Sequence, residues 1–334
     1  RFSGCLGSGL FKVMLFISGL TMFMSSLVAN FEYDLKKIIA LSTLSQLGLM
    51  ISILALGEEV LAFFHLLMHA LFKALLFMCA GCMIHNLGDY QDIRFMGSMI
   101  DYMPLTGCFF NICNLALCGL PFLTGFYSKD LILEFMSMNY FNIYVYLVFY
   151  LATGLTVSYS VRLIYFTMIS NYNGGTYFKF AEFNLYMLKG MGGLILMVII
   201  GGGLISWLIF PTSYYVCLPL YMKLAVLFVI SMGSLIGWLI SKFSCYGFNN
   251  NLLSYFLGSM WNLSILSTFG VNFYFLSYGD KLYNNLDQGW SEFIGSQGIF
   301  LGLKLSSNFF QFIFSVSSKV FLTLVLIWIC FLLI

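Results

Sequence analysis

The chain has 334 residues, of which 61% are hydrophobic and only 8% charged, with a formal net charge of +2 and a mean hydropathy of +0.94. That composition identifies an integral membrane protein and excludes an independent soluble enzyme. It also excludes nucleic acid as a partner, because no basic patch with interleaved aromatics accompanies the near-neutral balance.

The chain begins at Arg1 rather than a methionine, with no signal peptide ahead of it, so it reads as a fragment. The first predicted span runs over Leu10–Ala29, the second over Ile38–Leu56 and the third over Leu61–Ile84. Within the third, His65, His69 and Lys73 recur at every fourth position of an otherwise apolar run. On a helix such residues lie nearly above one another, drifting about 40° per step, so they form one titratable stripe about 12 Å long. Each ionisable group at that depth costs about 2.5 to 3.5 kcal/mol on insertion scales, and three on one stripe call for a reason. One reading is structural, with the three groups hydrogen-bonded to neighbouring helices. The other is a proton or ion relay, since histidine titrates near neutrality.

The same span carries Cys79 and Cys82 followed by His85. The C-x-x-C spacing suits zinc or thiol redox chemistry, but no second ligand pair accompanies it. The nine cysteines, mostly single and in apolar surroundings, give neither a disulfide framework nor a metal site.

The fourth predicted span, Leu105 to about Met138, contains a break. Gly119, Pro121 and Gly125 precede Lys129 and Asp130, and proline removes a backbone donor and obstructs the preceding turn. Freed backbone groups at membrane depth persist only where protein covers them or a cavity receives them, a recurring feature of ion transporters. The alternative is a hairpin between two short segments with Lys129 at the interface. Lys129 and Asp130 point about 100° apart on a helix and need not pair with each other.

A fifth span, Ile143–Ile169, carries Arg162 in a snorkelling or structural role, and a polar stretch follows over Ser170–Asn184. Gly190–Phe210 and Leu218–Ile240 form the sixth and seventh spans, and Val320–Ile334 the eighth. Lys36, Lys37, Arg94, Lys179 and Lys189 follow the first, third and fifth spans, so these odd connections face the positive-inside compartment. Glu58 and Glu59 then face the opposite side, while Lys12 and Lys223 sit close enough to span ends to snorkel.

Between Ser241 and Lys319 the pattern is aromatic and apolar but interrupted by Asn249, Asn250, Asn251, Asp280, Lys281, Asp287, Glu292 and Lys304. It fits an amphipathic helix along the membrane surface, with Trp261 and Trp290 as interface anchors, long enough to brace neighbouring subunits. Gly201–Gly203 is small-residue helix packing rather than a phosphate loop, and Asn262-Leu263-Ser264 is only a weak match to a glycosylation acceptor. No nucleotide, flavin, haem or iron–sulfur site is legible, so the expectation is no cofactor, no metal and no catalytic residue in this chain.

Several stretches together carry a family resemblance. They are Asp34 to Gly48 (D-L-K-K-I-I-A-L-S-T-L-S-Q-L-G), the His65, His69 and Lys73 stripe, Ile84-His85-Asn86, Gln91-Asp92-Ile93-Arg94, and Pro121 to Asp130 (P-F-L-T-G-F-Y-S-K-D). The chain resembles the NADH dehydrogenase subunit 5 family of mitochondrial respiratory complex I, and the later spans and Asp287-Gln288-Gly289-Trp290-Ser291-Glu292 extend the resemblance over essentially the whole length. The resemblance implies an all-α integral membrane fold: an antiporter-like multi-helix bundle with a broken helix and a long lateral amphipathic helix. It further implies a second antiporter-like repeat over residues 1–170, two more spans over 171–243, the lateral helix on the matrix side over 244–318 and an anchoring span over 319–334.

The function implied is proton translocation through His65, His69, Lys73, Lys129 and Asp130. Electron transfer from NADH to ubiquinone, with FMN and iron–sulfur clusters, would lie in other subunits. The implied place is the mitochondrial inner membrane, with neighbouring antiporter-like subunits and the lipid bilayer as partners. The first repeat's proton-carrying residues would lie before Arg1. Two other readings share these features, a subunit of a multi-subunit sodium/proton antiporter and a non-conducting membrane scaffold.

Overall fold

A computed structural model describes residues 5–139, 142–175, 182, 185–212, 215–245 and 252–333. Lys179, Asn184, Asn249, Asn250, Asn251 and Ile334 lie outside the described residues. Among the described residues the regular secondary structure is helical, and the single β-bridge joins Asp34 to Asp92. In lipid a backbone must satisfy its own polar groups, which favours helices throughout.

Three long helices open the chain, α1 (Ser8–Ala29), α2 (Leu35–Ala55) and α3 (Glu59–Asn86). Their hydroxyls do not disturb them, because each folds back onto its own helix: Ser25 to the Thr21 carbonyl, Ser42 to Ile39 and Ser52 to Leu49. After a short α4 (Met99–Tyr102), α5 (Pro104–Cys118) starts on a proline, where its missing N–H is no loss. Glu182 reaches back from the polar stretch to accept hydrogen bonds from the Thr106 amide at 2.8 Å and its hydroxyl at 3.1 Å, capping α5.

The predicted break follows α5. Gly119 takes a φ of +85° as the helix cap, where a side chain would be strained. The chain then unwinds to Gly125 and re-enters as a π-helical turn, Phe126–Asp130, leading into α6 (Leu131–Asn139). Gly125 has no freedom to be anything else: a Cβ there would stand 1.7 Å from the Ala116 carbonyl oxygen.

The fifth span is α7 (Ile143–Ile164), ending in a second π turn over Tyr165–Ile169, and α8 (Leu185–Ile209) and α9 (Leu220–Cys245) follow. Among the described residues six helices, α1, α2, α3, α7 with its π turn, α8 and α9, are long and apolar enough to cross a membrane. The core gathers around α3, whose Phe64, Met68, Phe72, Leu75 and Cys79 pack with Ile38 and Ile39 of α2, Phe110 of α5 and Met191 of α8. A further short helix, α10 (Leu252–Gly258), precedes three consecutive left-handed residues, Met260, Trp261 and Asn262.

The connections after α1, α3 and α7 meet at one end of the bundle. The Leu35 amide donates to the Gln91 carbonyl at 2.9 Å, Ile93 to Tyr33 at 3.0 Å and Ser98 to Ser170 at 2.8 Å. Lys36, Lys37 and Arg94, read as one-sided from charge alone, thus share a side. Asp92 holds Arg94 at 2.6 Å and raises its affinity for its proton. Arg162 does not snorkel: it is only 1% exposed and donates to the Glu32 carbonyl at 2.7 Å and to Ala29 at 3.4 Å. It thereby satisfies carbonyls at the end of α1, a structural role.

The second compact unit, Asn262–Ile334, is separate from the first, Arg1–Trp261. Helical segments α11 (Leu263–Ile265), α12 (Phe273–Leu282), α13 (Glu292–Ile294) and α14 (Ser296–Val316) are joined by π turns over Leu266–Asn272 and Tyr283–Ser291 and by a kink at Gly295. The run then bends by 118° into α15 (Ser318–Leu333). At 16 residues α15 spans about 24 Å, short of a hydrocarbon core of roughly 30 Å. Trp290 is exposed, while Trp261 ends the first unit half-buried.

Candidate functional site

The α3 stripe is buried along its whole length, with His65 at 1%, His69 at 8% and Lys73 at 4% exposure. Helix α2 faces it with Ser42, Ser45 and Gln46, all buried. Gln46 Oε1 lies 3.2 Å from His65 Nε2, and Ser128 Oγ lies 3.0 Å from His65 Nδ1. A carboxamide oxygen only accepts, so Nε2 carries the hydrogen of the neutral ring. The lone pair of Nδ1 is then aimed at the Ser128 hydroxyl.

Further along the stripe Lys73 donates to the Ser42 hydroxyl. The Ser42 hydrogen is already given to the Ile39 carbonyl at 2.7 Å, so Ser42 faces Lys73 purely as an acceptor. Between these two anchored groups stands His69, its ring 6.3 Å from that of His65 and edge-on to Phe72 at 5.4 Å. Its Nε2 is buried without a hydrogen-bond partner among the described residues.

Ser128 belongs to the π turn, which also buries Lys129 and Asp130. A π turn widens the helix by one residue and is often found at functional sites. Lys129 Nζ donates to Thr156 Oγ1 of α7 at 2.8 Å and to the Leu117 carbonyl at 3.4 Å. That carbonyl is available because α5 stops there: the cap amides of Gly119 and Leu120 go to Ala116 and Leu115, not to Leu117. Asp130 Oδ1 is buried without a hydrogen-bond partner among the described residues, and no ion pair joins it to Lys129.

All five residues singled out in the sequence therefore lie in one buried polar seam, joined where Ser128 meets His65. The sequence reading missed Ser42, Gln46, Ser128 and Thr156 as site residues. A signal existed for each: Ser42 and Gln46 are four apart on α2, Ser128 adjoins Lys129, and Thr153, Thr156, Ser158 and Ser160 are a polar run inside a span.

Cys79 and Cys82 set their thiols against α8. Their sulfurs lie 3.7 Å from the thioethers of Met191 and Met187 on α8, whereas His85 is exposed. Among the described residues no group of three or more His, Cys, Asp or Glu side chains is placed to hold a metal ion.

Two family models match the chain, "NADH:quinone oxidoreductase/Mrp antiporter, TM" over residues 7–156 and "NADH dehydrogenase subunit 5 C-terminus" over residues 159–334. The NADH-ubiquinone oxidoreductase chain 5 of Locusta migratoria is 51% identical over 319 residues, covering 94% of this chain and 56% of the relative. That of Anopheles quadrimaculatus is 52% identical over 321 residues, covering 95% and 56%. The chain thus spans a little over half the length of these curated relatives. Two solved structures share the fold. One is the membrane-bound sulfane sulfur reductase, an archaeal respiratory membrane complex (TM-score 0.52, 22% identity, 70% of this chain and 45% of that one). The other is the Mrp complex from Dietzia (TM-score 0.55, 20% identity, 79% and 31%).

Proposed function

The chain belongs to the NADH dehydrogenase subunit 5 family, and from that premise we propose that it is a proton-translocating membrane subunit of respiratory complex I. The observation that carries this reading is the junction of the two lysine-bearing segments, the 3.0 Å contact of His65 with Ser128 beside Lys129. Without it the α3 stripe and the broken helix would be two isolated polar sites. With it, groups able to gain or lose a proton run from Lys129 through His65 and His69 to Lys73.

The driving principle is electrostatic. A charge on any member of a buried row raises the cost of a like charge on the next, so a proton arriving at one end favours release at the other. Coupling to electron transfer from NADH to ubiquinone in other subunits is then a change in charge at the end of the row. It needs no redox step in this chain. FMN, iron–sulfur clusters and quinone would accordingly sit elsewhere in the complex. The setting is the mitochondrial inner membrane, with the end carrying Lys36, Lys37 and Arg94 on the matrix side. The helical run of the second unit would lie against neighbouring membrane-arm subunits.

The test is Lys129→Ala in the full-length subunit, in assembled complex reconstituted into sealed vesicles, with NADH oxidation and proton uptake both recorded. Protons moved per NADH should fall, or pumping and coupled oxidation collapse together. Wild-type values of both would make the lysine structural and the chain a scaffold. The shared Mrp family model gives a second reading, a subunit of a sodium/proton antiporter. Co-purification decides it: redox subunits accompany the chain in one case and only small membrane subunits in the other.

A further inference from the structure

The two buried lysines are held by the same small device. Each donates to a helix hydroxyl whose own hydrogen is tied to the carbonyl three residues earlier: Ser42 to Ile39 at 2.7 Å for Lys73, and Thr156 to Thr153 at 2.7 Å for Lys129. An ammonium has three hydrogens to give and accepts none, whereas a neutral amine has a lone pair that seeks a donor. At Lys129 every hydrogen-bond partner among the described residues accepts. Leu117 offers a carbonyl, and Thr156 has already spent its only hydrogen.

Resting on the proton pathway proposed above, we infer that Thr156 is a positioning residue for Lys129, holding it as an ammonium turned toward α7 until charge on the His65 side displaces its proton. Thr156 can serve the neutral amine only by swinging its hydrogen away from Thr153. A threonine in a helix has a second side-chain rotamer within reach, but the move breaks the bond it now makes. The hydroxyl therefore favours the charged form of the lysine and sets how readily it lets go.

Other groups around Lys129 also bear on its charge. Cys118 approaches from α5, Asp130 adjoins it in the π turn, and His65 faces it from α3. Beyond these, Glu134 of α6 and Tyr150 of α7 face Asp130, and Tyr159 of α7 faces Cys118. None of these is altered by a substitution at Thr156.

The experiment compares Thr156→Val, Thr156→Ser and Lys129→Ala in the full-length subunit, in assembled complex in sealed vesicles, with proton uptake followed against pH. Loss of an acceptor from a charged donor destabilises the ammonium, so Lys129 deprotonates at lower pH. The alkaline limb of pumping in Thr156→Val should move toward acid by about one to two pH units. Thr156→Ser, which keeps the hydroxyl and its bond to Thr153, should restore the limb to its wild-type place. Where Thr156→Val reduces assembly, Thr156→Cys, with a weakly accepting thiol of similar size, takes its place and should shift in the same direction. An unmoved limb in the hydroxyl-free variant, while Lys129→Ala abolishes pumping, overturns the role of Thr156 and leaves the pathway standing. Equal shifts in Thr156→Ser and Thr156→Val also overturn it, since packing rather than the hydroxyl would then be at work. Wild-type pumping by Lys129→Ala removes the pathway and this role together.

Discussion

Helix α3 and the passage from α5 through the π turn to α6 both bring charge into the bundle, and they do so by opposite means. The first is one helix of 28 residues with its backbone satisfied, so His65 and Lys73 depend on side chains of α2 and on Ser128. The second gives up its helix at Gly119, and the break itself supplies a partner, the Leu117 carbonyl for Lys129. A continuous helix can display titratable groups but cannot bind them with its own backbone. A broken helix can, at the cost of needing glycine where two backbone segments meet.

The largest expected effect breaks that contrast at its geometric root. Gly125→Val puts a side chain where the Ala116 carbonyl already stands, 1.7 Å from an ideal Cβ, and should abolish assembly of the subunit. Gly81→Ala on α3, where an added Cβ meets nothing within 4 Å, should assemble normally. Native gels of solubilised complex compare the two directly, and normal assembly of Gly125→Val would show that the break is not built as described.

Next in size is the seam between the two regions. Ser128→Ala leaves His65 Nδ1 without its hydrogen bond inside the bundle, a loss of about 1 to 3 kcal/mol in stability. Proton uptake per NADH should drop in the same variant, and unaltered coupling in vesicles would mean that the seam is not the route. Gln46→Leu sharpens the point from the other face. It removes the acceptor that fixes the ring hydrogen on Nε2, so the two nitrogens of His65 should lose their unequal roles. Nitrogen-15 spectra of labelled histidine would report the tautomer, and an unchanged pattern would remove Gln46 from that task.

The smallest effect belongs to charge outside the seam. Arg94 and Asp92 pair at 2.6 Å, but the arginine side chain is 49% exposed. Water and salt screen such a pair, and Arg94→Gln should cost no more than about 1 kcal/mol and leave pumping unaltered. Resistance of the complex to dissociation in detergent measures the first part and vesicle uptake the second.

The sequence by itself marked the apolar segments, the failure of the fourth span, and two separate groups of ionisable residues, the α3 stripe and Lys129 with Asp130. Those conclusions rest on local causes: the apolar run of each helix, proline and glycine at the break, and the four-residue spacing of His65, His69 and Lys73. Tertiary structure decided the rest. Only the packing of α2, α3, α7 and the π turn could bring Gln46, Ser128 and Thr156 against residues far away in the chain, because a hydroxyl or amide inside a span reads equally well as a helix-bound filler. Arg162 shows the same limit from the other side. Its long side chain inside the fifth span reads as snorkelling as readily as a structural role, and the choice was made by the Glu32 and Ala29 carbonyls at the end of α1, which needed a donor.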